Sequence, residues 1–153
     1  MYLAIVSLLM FVLPIGSIAW TVGFGGMTFS LVLVGKWFVF WSVGMRLVMA
    51  GVRQIFQPSY TAEVILKLKH AESHLLVREL GFANLGIGLI GVGSALFPAW
   101  LEAGALSGGA FYALAGINHL LQPHRGRLER IAMVSDLFVG AVLLLALGGM
   151  LSQ

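Results

Sequence analysis

Cysteine is absent from this chain, and charged side chains make up only 10% of it. The absence of cysteine excludes disulfides, thiolate metal sites, iron–sulfur clusters held by thiolates and thiol redox relays. The scarcity of charge argues against a soluble domain, in which about 25% of the residues are charged. So few polar groups cannot cover a surface that faces water.

The sequence is rich in apolar residues instead, which account for 59% of its 153 residues and give a mean hydropathy of +0.98. A bilayer accepts apolar side chains on the outside of a protein as readily as on the inside. The length suits one membrane domain, and no linker divides it. The net charge of +3 comes from basic residues in short connections between apolar runs. We therefore expect membrane lipids, and no nucleic acid, as partners.

Five apolar runs are long enough to cross a hydrocarbon core of about 30 Å as helices. They cover residues 2–24, 36–56, 78–97, 104–121 and 128–151. Polar and apolar residues alternate over 60–77, which predicts an amphipathic helix on the membrane surface. The sequence thus predicts an all-α, polytopic transmembrane bundle with an N-terminal helix, a four-helix core over residues 36–150 and one interfacial helix. No Lys or Arg precedes the first run, so we expect a retained helix, kinked at Pro14, and not a cleaved signal peptide.

The basic residues predict an orientation in the cell (inner) membrane. Lys36 lies near one face, whereas the second and fourth connections hold Arg53, Lys67, Lys69, Arg78, Arg125, Arg127 and Arg130. Cytoplasmic connections carry an excess of Lys and Arg. We therefore expect these two connections and the N-terminus in the cytoplasm and the C-terminus outside.

Gly86, Gly88 and Gly91 match the dinucleotide fingerprint G-x-G-x-x-G. That fingerprint needs a preceding strand and an accessible helix start, whereas these glycines lie within an apolar run. We interpret Gly81 with Gly88, and Gly86 with Gly93, as small residues that let membrane helices approach closely.

His70 and His74 are four residues apart on the predicted interfacial helix. This spacing is compatible with a metal ion, but such pairs are common on solvated helix faces. We expect no metal site, cofactor site or catalytic set.

The informative pattern is a set of polar residues inside the predicted spans. A charge at the bilayer centre costs about 2.5–3.5 kcal/mol, so each should face the bundle interior and a partner. Arg46 and Asp136 lie at nearly one depth, roughly 16 and 13 Å from the cytoplasmic end, and we predict that they pair across the bundle. The candidate residues of this polar cluster are Arg46, Arg53, Glu79, Asn84, Asn118, His119 and Asp136.

The sequence leaves two interpretations of the polar cluster open. It can be structural, with buried ion pairs and amide hydrogen bonds that select neighbouring helices. It can also line a cavity toward the cytoplasm that holds the polar head of an amphiphile such as a quinone or a lipid, since intramembrane ionisable residues mark functional sites.

The four later spans carry a family resemblance in the segments FWSVGMR (40–46) with AGVRQ (50–54), RELGFAN (78–84), AGINH (115–119) and AMVSD (132–136). Over residues 36–150 these resemble the DoxX-like superfamily of small four-helix membrane proteins, in particular a bacterial domain family of unknown function within it. The resemblance implies a four-helix core in the membrane, to which the first helix is an addition. It implies no particular activity.

Three functions are compatible with these observations. Short connections and abundant small residues lead us to expect a non-enzymatic accessory or scaffold subunit of a membrane assembly, with protein partners or as a homo-oligomer. One alternative is a binder or carrier of a small amphiphile (quinone or lipid) in the polar cavity. A further alternative is an isomerase for a membrane lipid or isoprenoid, in which His119 with Asp136 or Glu79 moves a proton.

Overall fold

The computed structural model describes residues 2–68, 70–124 and 126–152. Within them the regular structure is helical, without strands, which confirms the expected all-α class. The helices are α1 (consecutive segments Tyr2–Ser7, Leu8–Val12 and Leu13–Gly23), α2 (Leu31–Phe38, Val39–Met45 and Arg46–Phe56), the short α3 (Tyr60–Ile65), α4 (Ser73–Gly93), α5 (Trp100–Leu121) and α6 (Arg127–Leu151).

Four of the described helices are long and apolar enough to cross a membrane, namely α1 over Leu3–Gly23, α2 over Leu31–Phe56, α4 and α6. α5 is also long, with 22 residues, but it is not among the four. Its polar residues, which include Glu102, lower its hydropathy. The chain therefore has the helices of a membrane protein.

Two helices begin five residues earlier than the sequence predicted. α2 begins at Leu31 because Ser30 caps it, with Ser30 Oγ accepting a hydrogen bond from Leu33 N at 3.2 Å. α4 begins at Ser73, whose Oγ donates to His70 O at 2.6 Å.

The single interfacial helix predicted over residues 60–77 is wrong. α3 ends at Ile65, and α4 begins only at Ser73. Between them Lys67 has a φ of 58°, in the left-handed region that an α-helix cannot contain. The alternating pattern is therefore divided between two helices and a loop.

α2, α4, α5 and α6 form a ring of four helices in which α2 packs on α4, α4 on α5, α5 on α6, and α6 on α2. α1 packs against α2 and α6. α2 and α4 run antiparallel, because Gly44 lies against Gly91 and Gly51 against Gly81, and the short connections before α5 and α6 continue the alternation. One end of the ring therefore holds the end of α2, the start of α4, the end of α5 and the start of α6.

α2 and α4 meet backbone to backbone through glycines. A Cβ atom on Gly91 would lie 2.7 Å from Gly44 Cα, and one on Gly88 would lie 2.6 Å from Val48 N. No side chain fits there without a shift of backbone. These glycines therefore let the two helices approach more closely than ordinary side chains permit.

The structure confirms part of the small-residue pattern read from the sequence. A Cβ on Gly81 would also meet α2, so Gly81 and Gly88 are contact positions. Gly86 is different, because a Cβ there would meet nothing within 4 Å. A Cβ on Gly93 would meet the Trp100 ring of α5.

α1 and α2 each contain a π-helical segment, Leu8–Val12 and Val39–Met45, and the two segments pack together. In α1 the wide turn closes with a hydrogen bond from Leu13 N to Leu8 O. It immediately precedes Pro14, which has no N–H to donate and whose ring disfavours a regular turn. The irregularity predicted at Pro14 takes this form.

Side chains of α2 attach α1 by three hydrogen bonds: Trp37 Nε1 to Thr21 Oγ1 (3.0 Å), Trp41 Nε1 to Ser17 Oγ (3.0 Å) and Ser42 Oγ to Leu9 O (3.2 Å). Tyr112 of α5 donates in turn to the Ser42 carbonyl. A chain of hydrogen bonds thus joins α5 to α2 and α2 to α1.

The interior of the ring is filled at one end and hollow at the other. The filled end contains fully buried side chains from three helices: Val39, Val43, Ala105, Leu143 and Ala146. Leu47 and Tyr112, also buried, close this end. Beyond them the interior widens toward the end of the ring where α2 and α5 stop and α4 and α6 begin.

The close contact of α2 with α4 can be tested with two glycines of one helix. We expect Gly88→Ala to lower the free energy of unfolding by about 1–3 kcal/mol, because its methyl group meets backbone. Gly86→Ala should be neutral or stabilise by about 0.5–1 kcal/mol, because alanine favours a helix. Thermal melting in detergent measures both, and equal effects would contradict the contact.

Candidate functional site

The hollow end of the ring contains a cavity of about 1030 Å³. Its walls come from all the helices, including α1 and α3. Six of the seven residues of the predicted polar cluster line it: Arg46, Arg53, Asn84, Asn118, His119 and Asp136. Residues that are 90 positions apart in the sequence thus share one space.

Glu79, the seventh residue of the predicted cluster, does not line the cavity, and its side chain is exposed. The reason is its position on α4. Glu79 precedes Asn84 by five residues, which places it about 140° around the helix from the buried face.

Asn84 joins α4 to α2 inside the cavity wall. Its side chain is 3% exposed, and its Nδ2 donates to Gln54 Oε1 at 2.7 Å. Its Oδ1 is buried and accepts no hydrogen bond in the described part of the chain. A buried polar atom without a partner costs roughly 1–3 kcal/mol. The wall therefore favours an occupant with a hydrogen-bond donor.

Arg46 and Asp136 face the cavity but do not form the predicted ion pair. Arg46 acts electrostatically on Asp136, yet the charged atoms of these two described residues are more than 4.0 Å apart. Both residues line one cavity, as members of one predicted cluster should, but they do not touch each other across it.

Neither Arg46 nor Asp136 has a hydrogen-bond or ion-pair partner among the residues that the structure describes. Asp136 is 7% exposed and accepts no hydrogen bond from the residues that the structure describes, and the buried Nε of Arg46 has no acceptor among them. A charged side chain inside a bundle of apolar helices favours a partner of opposite sign. The cavity thus presents an unengaged cation and an unengaged carboxylate.

The other two charged residues of the wall have contacts of their own. The guanidinium carbon of Arg53 lies 3.5 Å from the ring centroid of Tyr60 in α3, a cation–π contact. Glu129 Oε2 accepts a hydrogen bond from Gly126 N at 2.6 Å, which caps the start of α6. These contacts leave Arg46 and Asp136 as the charges most available to an occupant.

Nothing matches this chain among protein-family models, curated proteins or solved structures. The cavity itself therefore has to indicate the function.

Sequence reasoning missed several polar residues of the cavity wall, among them Gln54, Tyr60 and Tyr112. Gln54 lies within the second span and is 8% exposed, so the rule that polar residues in a span face the interior would have found it. Tyr60 gave no such signal, because it lies outside the second span and reaches the cavity only through the position of α3, where its ring meets Arg53.

His70 and His74 do not form the helix face that a metal site would need. His70 precedes α4, whereas His74 lies within it. His74 Nε2 instead contacts Glu63 Oε1 at 2.9 Å and links α3 to α4 at the surface.

The cavity has the size and lining of a ligand site. Its volume is just above the roughly 300–1,000 Å³ that is usual for such sites. Apolar side chains alternate with the polar groups, and three that line it, Met49, Val52 and Phe56, are also exposed on the surface of α2. The cavity is therefore open to the surroundings of the bundle.

A separate cleft of about 540 Å³ lies between the start of α1 and the start of α6. Apolar residues line it together with Ser7, Ser135, Arg127 and Arg130. Both arginines are exposed, and none of the polar groups described above, from Arg46 to Asp136, lines this cleft.

A double-mutant cycle tests the hydrogen bond between Gln54 and Asn84. Gln54→Leu leaves the Asn84 amide buried without an acceptor, so we expect a loss of about 1–3 kcal/mol in unfolding free energy. Asn84→Leu should lower the free energy of unfolding less in the Gln54→Leu variant than in the wild-type protein, with a coupling energy of about 1 kcal/mol. Additive losses in detergent melting would show that the amides do not interact.

Proposed function

We propose that the protein crosses the membrane five times, with α5 as the fourth span. α5 has 22 residues and lies in the ring between α4 and α6, both long and apolar enough to span. Its low hydropathy fits a helix that packs through glycines, such as Gly104 and Gly108, against side chains of α2.

The orientation we propose follows the basic residues. Arg53, Lys67, Arg78, Arg127 and Arg130 belong to the hollow end of the ring, so that end faces the cytoplasm. The N-terminus is then cytoplasmic and the C-terminus external, in a cell (inner) membrane. Lys69 and Arg125, counted in the sequence, lie outside the described residues.

Topology reporters test this orientation. Reporters inserted in the connection over 66–72 and in the connection over 122–126 should read cytoplasmic, and one fused after the C-terminal residue should read external. The opposite pattern would place the cavity on the external side and overturn the assignment.

We also propose that the chain is a distant relative of the DoxX-like superfamily. The support is its arrangement as a ring of four helices, α2, α4, α5 and α6, with α1 added. The segments that carry the resemblance contribute Arg46, Arg53, Asn84, His119 and Asp136 to the cavity wall.

The function that we propose is to bind or carry a small amphiphile in the cavity. The main support is that the wall combines apolar side chains with two buried polar atoms that have no hydrogen-bond partner in the described part of the chain, Asn84 Oδ1 and Arg46 Nε. An occupant with a polar head and an apolar tail satisfies both kinds of surface.

An accessory or scaffold role is the second candidate. It accounts for the large apolar residues exposed along the helices, such as Leu96, Leu114 and Leu145. Lipid accounts for them equally well, and a scaffold needs no cavity with unpartnered polar groups. The isomerase alternative loses its Glu79 form, because Glu79 is outside the cavity, and keeps the form with His119 and Asp136, which both line it.

Filling the cavity tests the proposed function. Ala115 of α5 lines the cavity, so we expect Ala115→Phe to reduce the amount of endogenous amphiphile retained after detergent purification by about tenfold or more. Ala103→Phe is the matched control, because Ala103 is exposed on the same helix. Native mass spectrometry counts the retained molecules.

The wild-type protein should retain one tightly held amphiphile per chain, and the control should keep it. A wild-type protein that folds and melts normally with none retained would contradict the proposal and favour the scaffold role.

A further inference from the structure

We infer that the occupant of the cavity is a zwitterionic amphiphile whose head combines an anionic group with a primary ammonium group. The inference rests on the proposed function and specifies its ligand. Its basis is the arrangement of charge and hydrogen-bonding groups around the cavity.

The cavity wall holds equal numbers of positive and negative side chains, but these side chains do not form ion pairs with one another. Arg46 and Arg53 oppose Glu129 and Asp136, so two cations face two carboxylates. In the part of the chain that the structure describes, the one salt bridge is between His74 and Glu63, outside the cavity. A head with a net charge would leave the wall unbalanced, whereas a head with one charge of each sign lets Arg46 and Asp136 each meet an opposite charge.

The hydrogen-bonding groups require both an acceptor and a donor in the head. Arg46 offers N–H donors, which suit a phosphate or carboxylate oxygen. Asp136 and Asn84 Oδ1 offer acceptors and receive no hydrogen bond among the described residues. A primary ammonium group supplies three N–H donors, enough for both acceptors, while a quaternary ammonium group supplies none.

The position of the apolar wall indicates where the tail lies. Phe111 and Leu47 bound the cavity near the filled end, and Met49, Val52 and Phe56 bound it where it reaches the outer surface of α2. The head therefore occupies the interior beside Arg46 and Asp136, and an acyl chain extends past α2 into the bilayer.

Lipid selectivity tests the inference in the full chain. The protein is reconstituted in nanodiscs with equal amounts of phosphatidylethanolamine, phosphatidylcholine and phosphatidylglycerol of one acyl composition, then extracted, and its retained lipid is identified by native mass spectrometry. We expect phosphatidylethanolamine to exceed each of the others by about tenfold, as one charge-assisted hydrogen bond allows.

Two carboxylate-to-amide variants test whether Asp136 causes the preference for phosphatidylethanolamine. Asp136→Asn keeps the size of the side chain but removes the charge that attracts ammonium, so retained lipid should lose its preference for ethanolamine over choline. Glu79→Gln is the control, because Glu79 lies outside the cavity, and it should keep the wild-type preference. Lipid at the Arg127 and Arg130 cleft contributes equally to all three proteins and cancels from the comparison.

The outcomes separate this inference from the proposed function. Retention of no lipid by the wild-type protein would overturn both. Three other outcomes would overturn the inferred zwitterionic head and leave the cavity as a binding site. They are retention without preference for the ethanolamine lipid, a preference for the glycerol lipid, and an unchanged preference in Asp136→Asn. Loss of preference in Asp136→Asn but not in Glu79→Gln supports the inference.

Discussion

The contact between α2 and α4 through glycines determines how the polar residues of α2 are oriented. Gly44 and Gly51 are seven residues apart and face α4. Arg46 and Arg53, each two residues further along, lie about 200° around the helix from these glycines. The face of α2 that meets α4 therefore leaves the arginines to the interior shared with α1, α5 and α6. Any larger residue at the glycines would push the helices apart and change this orientation.

The same packing divides the ring into two unlike ends. Small residues at the filled end let α5 and α6 approach α2, and hydrogen bonds from Ser42 and Tyr112 join α1, α2 and α5 there. At the hollow end the helices enclose amide, carboxylate and guanidinium groups. Among the described residues, only some of these groups have hydrogen-bond partners. In a bilayer such groups need partners. Fold and proposed function are thus connected, since the packed end of the ring positions the helices around the cavity that we propose as the binding site.

The sequence was informative about which residues share the interior, because a polar side chain in an apolar helix has few other places to go. The sequence therefore predicted that Arg46, Asn84 and Asp136 belong to one cluster. It could not show that a cavity lies between Arg46 and Asp136. Helix starts depended on local caps such as Ser30, and the break at Lys67 depended on a single backbone angle, neither of which periodicity reports. Glu79 was misplaced because depth alone was used for it and its position around the helix was not.

The central claim is that the space between Arg46 and Asp136 holds the head of an amphiphile. A density map of the protein in nanodiscs of native lipid, at a resolution that separates side chains, tests it most directly. We predict elongated density that begins between these two side chains, contacts Asn84 and leaves the bundle beside Met49 and Val52. An interior filled by ordered water alone, or a ring in which Arg46 and Asp136 have closed into a direct ion pair, would contradict the account.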